Sequence, residues 1–202
     1  MKSGFTLVET MVAVFILSLT IISLMSVVAS SLFASRYSRD EITVNYLLQE
    51  AVDFIRNDRD SAVFSYLDAA SVDEMWEKFI DKYNVCIEEN QGCTIDVYAG
   101  TKDPSSSFVK KCDSDSFFNE TTCPPFFYHD DSDSSIYNYE EAGSKTSFRR
   151  KIFFKVGDNR DEIMVKATVY WLNGNTVKSR SLQTSLLRSE EHTSELQSPN
   201  TI

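Results

Sequence analysis

The chain has 202 residues, which suits one modest domain together with a membrane anchor. Its formal net charge of -10 leaves it without the basic excess that binding to a phosphate backbone requires, so the composition argues against nucleic-acid partners. Two histidines and no Gly-rich phosphate loop give little basis for catalysis, and the sequence predicts a protein that is not an enzyme and uses no cofactor.

The N-terminal part of the chain is strongly apolar. From Thr10 to Ser35 no residue is charged, and as a helix these 26 residues would extend about 39 Å, enough for a bilayer core of about 30 Å. The pattern predicts a transmembrane helix over residues 5–35. Glu9 is the exception, since a carboxylate inside an apolar run is unfavourable unless it is paired.

Three interpretations of this segment compete. A cleaved signal peptide would have a shorter apolar core of about 7–15 residues, with a cleavage site near Ala29–Ser31. A plain membrane anchor fits the length but leaves Glu9 unexplained. The third interpretation rests on GFTLVE, Gly4 to Glu9, which resembles the processing signature of type IV prepilins and type II secretion pseudopilins.

This resemblance implies a role for each residue of the motif. Residues 1–4 would be a leader, prepilin peptidase would cut between Gly4 and Phe5, and Phe5 would become the N-methylated terminus. Glu9 would then serve assembly, its carboxylate pairing with the Phe5 amine of a neighbouring subunit. A simpler role is that Glu9 stabilises its own helix N-terminus through the dipole, by about 0.3–1 kcal/mol.

The resemblance also implies a fold, a location and a function. The fold would be the α+β pilin fold, a long N-terminal helix packed on a small antiparallel sheet. The protein would cross the bacterial inner membrane once, with its N-terminus in the cytoplasm, and then enter a pilus or pseudopilus with other subunits. We expect a minor pilin or pseudopilin. The alternatives are a DNA-uptake (competence) pilin and a membrane-anchored periplasmic binding module.

Residues 36–57 predict an amphipathic continuation of the helix, giving one rod of some fifty residues. Its apolar stripe is formed by Val44, Leu48, Ala51 and Ile55, whose spacings of 4, 3 and 4 are helical. The head is expected over 58–187, beginning with a second helix at 71–83 that opens on a capping box, Ser71 to Glu74.

The rest of the head divides into an irregular part and a sheet. We expect residues 84–146 to be mostly loop, with one strand in CTIDVYAG. Three strands of alternating apolar residues follow, in SFRRKIFFKV, DEIMVKATVYWL and TVKSRSLQTSLL. Turns at Gly157–Asn159 and Asn173–Asn175 predict that they form an antiparallel meander. The end of this region also resembles minor pseudopilins of the I-subunit kind and pilus modification proteins.

Four cysteines lie in the irregular part, at Cys86, Cys93, Cys112 and Cys123. An even number in a loop-rich exported head favours two disulfides, with three possible connectivities. Pairing neighbours in sequence, Cys86 with Cys93 and Cys112 with Cys123, closes the shortest loops. The spacings argue against a zinc site, and no metal is expected.

Two other clusters have both a functional and a simpler interpretation. HDDSDSS, His129 to Ser135, could hold calcium, but it lacks the spacing of a calcium loop and is predicted to be a solvated surface loop. Arg149–Arg150–Lys151 could contact nucleic acid. We instead expect charge on an edge strand, or an ion-pair partner for a neighbouring subunit.

The final segment is unlike the rest of the chain. RSEEHTSELQS, Arg188 to Ser198, resembles a translated sequencing-library adapter. We therefore expect residues 188–202 to be read-through, with the native C-terminus missing.

Overall fold

The computed structural model describes residues 6–64, 72–87, 92–102, 108–112, 123–131 and 134–188. The chain divides into two compact units, Met1–Thr43 and Val44–Ile202. One helix, α1 (Leu7–Phe64), begins in the first unit and ends in the second. Its 58 residues exceed the expected rod of some fifty, and it continues past the predicted boundary at residue 57.

The second unit combines the last part of α1 with two short helices and one antiparallel sheet, which confirms the α+β class. The short helices are α2 (Val72–Lys82) and α3 (Val97–Lys102), and a 3-10 turn covers Asn84–Cys86. The strands are β1 (Cys93–Ile95), β2 (Val109–Lys111), β3 (Pro125–Asp131), β4 (Ser134–Asn138), β5 (Ser144–Val156), β6 (Glu162–Asn173) and β7 (Thr176–Leu187).

The predicted meander is present as β5, β6 and β7. Adjacent strands pair from Arg149 with Tyr170 to Val156 with Ile163, and from Glu162 with Leu187 to Asn173 with Thr176. The two-residue loop between β6 and β7 starts with Gly174 at φ +60°, the residue and sign that a type II′ hairpin requires. The alternation predicted for β6 is confirmed, since its core face from Ile163 to Trp171 is at most 2% exposed.

Among the described residues of 84–146, the expectation of mostly loop is wrong. Strands β1 to β4 come from this region, with β1 and β3 pairing with the same side of β5. β1 lies at the start of CTIDVYAG, as expected, but β2 has only three residues, too few to show a period-2 pattern. These short strands depend on partners that are distant in sequence.

CTIDVYAG is a strand only as far as Ile95. Asp96 ends the strand and caps α3, because its Oδ1 accepts a hydrogen bond of 3.0 Å from the Ala99 amide. Gly100 then allows α3 to lie close to α1, since a Cβ at this position would come within 2.7 Å of the Phe54 ring.

The core of the second unit lies between the apolar stripe of α1 and one face of the sheet. Val44, Ala51 and Ile55 are completely buried, as the helical spacing predicts. The predicted second helix is present as α2, although Ser71 of its capping box lies outside the described residues. Its aromatic side chains extend the core, and Tyr83, which follows α2, stacks on Phe154 of β5 with ring centroids 5.0 Å apart.

Candidate functional site

The apolar part of α1 is exposed over its whole length within the first unit. Its side chains include Leu7, Phe15 and Phe33, which are 74%, 62% and 70% exposed. A window of 18 residues has a mean hydropathy of 2.6, and none of that window is buried. The helix is therefore long and apolar enough to cross a membrane.

Five hydroxyl groups in this segment are satisfied within the helix. Ser18, Thr20 and Ser23 donate to backbone carbonyls three residues earlier, at 2.7–2.8 Å. Ser30 and Ser31 do the same to carbonyls four residues earlier. Since hydroxyls bonded in this way need neither water nor another chain, the segment is compatible with a hydrocarbon environment.

Glu9 lies in the first turn of α1, where Thr6 caps the helix. The Glu9 amide donates to the Thr6 carbonyl at 3.1 Å and contacts Thr6 Oγ1 at 3.4 Å. Thr6-Leu7-Val8-Glu9 has the Thr-x-x-Glu pattern of a capping box, a signal in the sequence from which this helix start could have been predicted. The Glu9 carboxylate is exposed and has no partner among the described residues, whereas Gly4 and Phe5 lie outside them.

The four cysteines form two disulfides between neighbours in sequence. Cys86 and Cys93 have Cα atoms 4.8 Å apart, and Cys112 and Cys123 have Cα atoms 4.5 Å apart. All four residues are buried, and they lie beside β1, β2 and β3. The bridges therefore attach the short strands of the irregular region to each other and to the 3-10 turn.

The expected position of Arg149 and Arg150 at the sheet edge is wrong. β5 is an inner strand, and the two residues are 7% and 0% exposed. Arg149 donates to the Cys123 carbonyl at 2.7 Å, and its burial lowers the pKa of the guanidinium. Neither guanidinium therefore forms the exposed basic patch that contact with nucleic acid would use.

Arg150 connects three elements through one guanidinium. Nη1 donates to the Leu47 carbonyl at 2.7 Å and to Glu50 Oε2 at 2.8 Å, and Nη2 donates to the Ile95 carbonyl at 2.6 Å. Its Cζ lies 5.0 Å from the centre of the Phe126 ring. Arg150 has the same strand parity as the buried residues of β5, a signal from which its burial could have been predicted.

The acidic run that starts at His129 is not the expected loop. β3 and β4 pair from Phe127 with Asn138 to Asp131 with Ser134, so the described residues of the run lie in paired strands. His129 Nε2 lies 3.0 Å from the Glu140 carbonyl, and Ser135 donates to Asp130. Within the described residues, no group of three or more His, Cys, Asp or Glu side chains could hold a metal ion.

Arg188, the first residue of the predicted read-through segment, is the only one of that segment that the structure describes. Arg188 pairs with Asp73 at 3.0 Å and with Asp161 at 3.1 Å, whereas residues 189–202 lie outside the described part. Comparisons with protein-family models, curated proteins and solved structures find no match for this chain.

Proposed function

We propose that this chain is a minor pilin or pseudopilin, a structural subunit of a type IV pilus or type II secretion fibre. The observation that carries the proposal is the position of GFTLVE, whose last three residues begin an exposed apolar helix. The same helix continues into an α+β unit, where its later turns pack on an antiparallel sheet. This order, motif then apolar helix then head, is what a subunit that moves from a membrane into a fibre needs.

The proposed pathway uses each part of the helix in turn. The apolar segment holds the precursor in the inner membrane with the head outside, and the two disulfides suit that oxidising side. Prepilin peptidase removes residues 1–4, and Phe5 becomes the methylated terminus. The subunit then enters the fibre through contacts between N-terminal helices.

Glu9 is the proposed docking group for that transfer. Its carboxylate would pair with the Phe5 amine of a neighbouring subunit, because an unpaired charge in hydrocarbon is unfavourable and pairing removes that penalty. The pairing would also fix the axial register of the two helices. The alternative DNA-uptake function loses two of its three candidate contacts, since Arg149 and Arg150 are buried.

Two substitutions separate docking from helix capping. Glu9→Gln keeps a side chain that a capping box accepts but removes the charge, whereas Glu9→Leu removes both. If Glu9 docks subunits, both variants insert into the membrane and are cleaved, and both are depleted from fibres sheared off the cells. The measurement is the ratio of fibre-bound to membrane-bound chain.

The two variants also give the result that would contradict docking. Glu9→Gln at the wild-type ratio, with only Glu9→Leu depleted, would assign Glu9 to the helix cap. Wild-type ratios for both variants would leave the carboxylate with no role in assembly. Ser18→Ala serves as the matched control, because it changes another polar residue of the same segment, one whose hydroxyl is bonded only within α1.

A further inference from the structure

A cleft of about 500 Å³ opens in the second unit, between α1, α3 and β4. Its volume lies within the range of about 300–1,000 Å³ that is typical of ligand sites. Tyr46, Glu50 and Asp53 line it from α1, and Tyr98 lines it from α3. None of its lining residues is needed for the proposed function, so the cleft is an independent feature of the second unit.

One wall of the cleft is the edge of a strand. Ser135, Ile136 and Tyr137 of β4 all line it, although successive side chains of a strand point to opposite faces of the sheet. Three consecutive residues can border one cleft when it runs along the strand's edge. Among the described strands, β4 pairs only with β3, so this edge presents backbone groups that can bind an added strand.

The opposite wall carries two carboxylates, Glu50 and Asp53, and the fold holds the first of them in place. Buried Arg150 binds Glu50 Oε2 and also donates to two backbone carbonyls, so the carboxylate is fixed at the cleft. Oε1 of the same group has no bond from the described residues. The Asp53 side chain is 71% exposed, and its ion-pair partner Arg56 lies 3.9 Å away, outside the cleft lining.

The other residues that line the cleft also favour the binding of a cation. Among the described residues, no lysine or arginine lines the cleft, whereas Tyr46, Tyr98 and Tyr137 do. Tyrosine faces attract ammonium and guanidinium groups, and Lys102 already lies 5.7 Å from the centre of the Tyr98 ring. Together, the fixed carboxylate, the exposed carboxylate and the aromatic side chains complement a basic side chain.

We propose that this cleft binds an extended segment of a partner protein that carries an arginine or a lysine. The segment's backbone pairs with the edge of β4, and its basic side chain reaches Glu50 and Asp53 between the tyrosines. The inference does not rest on the proposed function, because cleavage after Gly4 and pairing of Glu9 play no part in it.

The test uses the full chain in detergent micelles and three fluorescent peptides. The first is acetyl-Ser-Val-Arg-Val-Ser-amide, the second has citrulline in place of arginine, and the third is N-methylated at alternate residues to block strand pairing. Binding is measured by anisotropy for wild type, Asp53→Asn, Tyr46→Ala and Glu74→Gln. Glu74 provides the control because its carboxylate is also exposed but lies on α2, away from the cleft.

We expect the arginine peptide to bind and the other two to bind at least about tenfold more weakly, a change of about 1.4 kcal/mol. Asp53→Asn and Tyr46→Ala should weaken binding of the arginine peptide by a similar factor, and Glu74→Gln should not. Both cleft residues are exposed, so these variants are expected to fold, which a wild-type unfolding midpoint would verify.

Three results would overturn the proposal. An equal loss of affinity for the arginine peptide in Asp53→Asn and Glu74→Gln would mean general attraction to an acidic protein. Equal affinity for the citrulline peptide and the arginine peptide would exclude recognition of the charge. No binding of any peptide, together with a dimer of the full chain that Asp53→Asn dissociates, would assign the cleft to a second copy. In that case exposed Lys178 and Arg180 of β7 would be candidates for the basic groups.

Discussion

At the scale of single residues, Arg150 and Glu50 decide how the helix is held on the sheet. The Arg150 side chain is completely buried, whereas that of Glu50 remains 39% exposed. The two partners are therefore not equivalent. Loss of Glu50 would leave the buried Arg150 cation without its counter-charge. An unpaired buried charge strongly destabilises the folded state.

We predict that Glu50→Ala lowers the free energy of unfolding by about 3–5 kcal/mol. Asp53→Ala, on the next turn of the same helix, should change it by less than about 1 kcal/mol, because its ion pair is exposed. Urea unfolding of the oxidised full chain in micelles measures both values. Similar small changes in the two variants would contradict the role given to Arg150.

Tyr83 is a second residue whose environment has a measurable consequence. Its hydroxyl donates to Asp58 Oδ2 at 2.9 Å, and burial, followed by the nearby Asp58 charge, raises its pKa above the ordinary value. In the unfolded chain the same hydroxyl loses its proton near pH 10. The stabilisation is therefore complete below about pH 10 and is lost as the pH rises further.

Above about pH 10, we expect Tyr83 to reduce the free energy of unfolding by about 1.4 kcal/mol per pH unit. Tyr83→Phe should remove that part of the slope, whereas Tyr46→Phe, at an exposed position, should retain it. Unfolding curves between about pH 9 and pH 11 provide the measurement. Identical slopes for the two variants would show that Tyr83 does not titrate as the structure requires.

At the scale of elements, the long periodic segments were predictable, whereas of the short strands β1 to β4 only β1, at the start of CTIDVYAG, was expected. The stripe of α1 and the alternation of β6 each repeat often enough to define a buried face. β1 and β2 have three residues each, and their position depends on β5 and on the disulfides. The cleft could not be predicted either, because Glu50, Tyr98 and Ile136 meet only in the folded chain.

The two disulfides are expected to stabilise the folded chain. Replacing Cys86 and Cys93 together by alanine should lower the free energy of unfolding by about 2.5 kcal/mol, and replacing Cys112 and Cys123 by slightly more, about 3 kcal/mol, because that loop is longer. Equilibrium unfolding without reductant measures both. If neither pair of substitutions changes the stability, the bridges do not hold the short strands in place.

At the scale of the whole molecule, the order of the parts along the chain supports the proposed function. An exposed apolar segment, a helix that continues into the head and a disulfide-bonded sheet follow one another along a single chain. The motif that would release this chain from its leader, Gly4 to Glu9, overlaps the first turn of the apolar helix. Processing at this motif separates a fibre subunit from a protein that is only anchored.

The most direct test is therefore the N-terminus of the chain recovered from bacterial membranes. Intact mass and the N-terminal peptide are measured in a host with prepilin peptidase and in the same host without it. We predict that the first residue is methylated Phe5 when the peptidase is present and Met1 when it is absent. A chain that starts at Met1 in both hosts, or at Leu32, would contradict it.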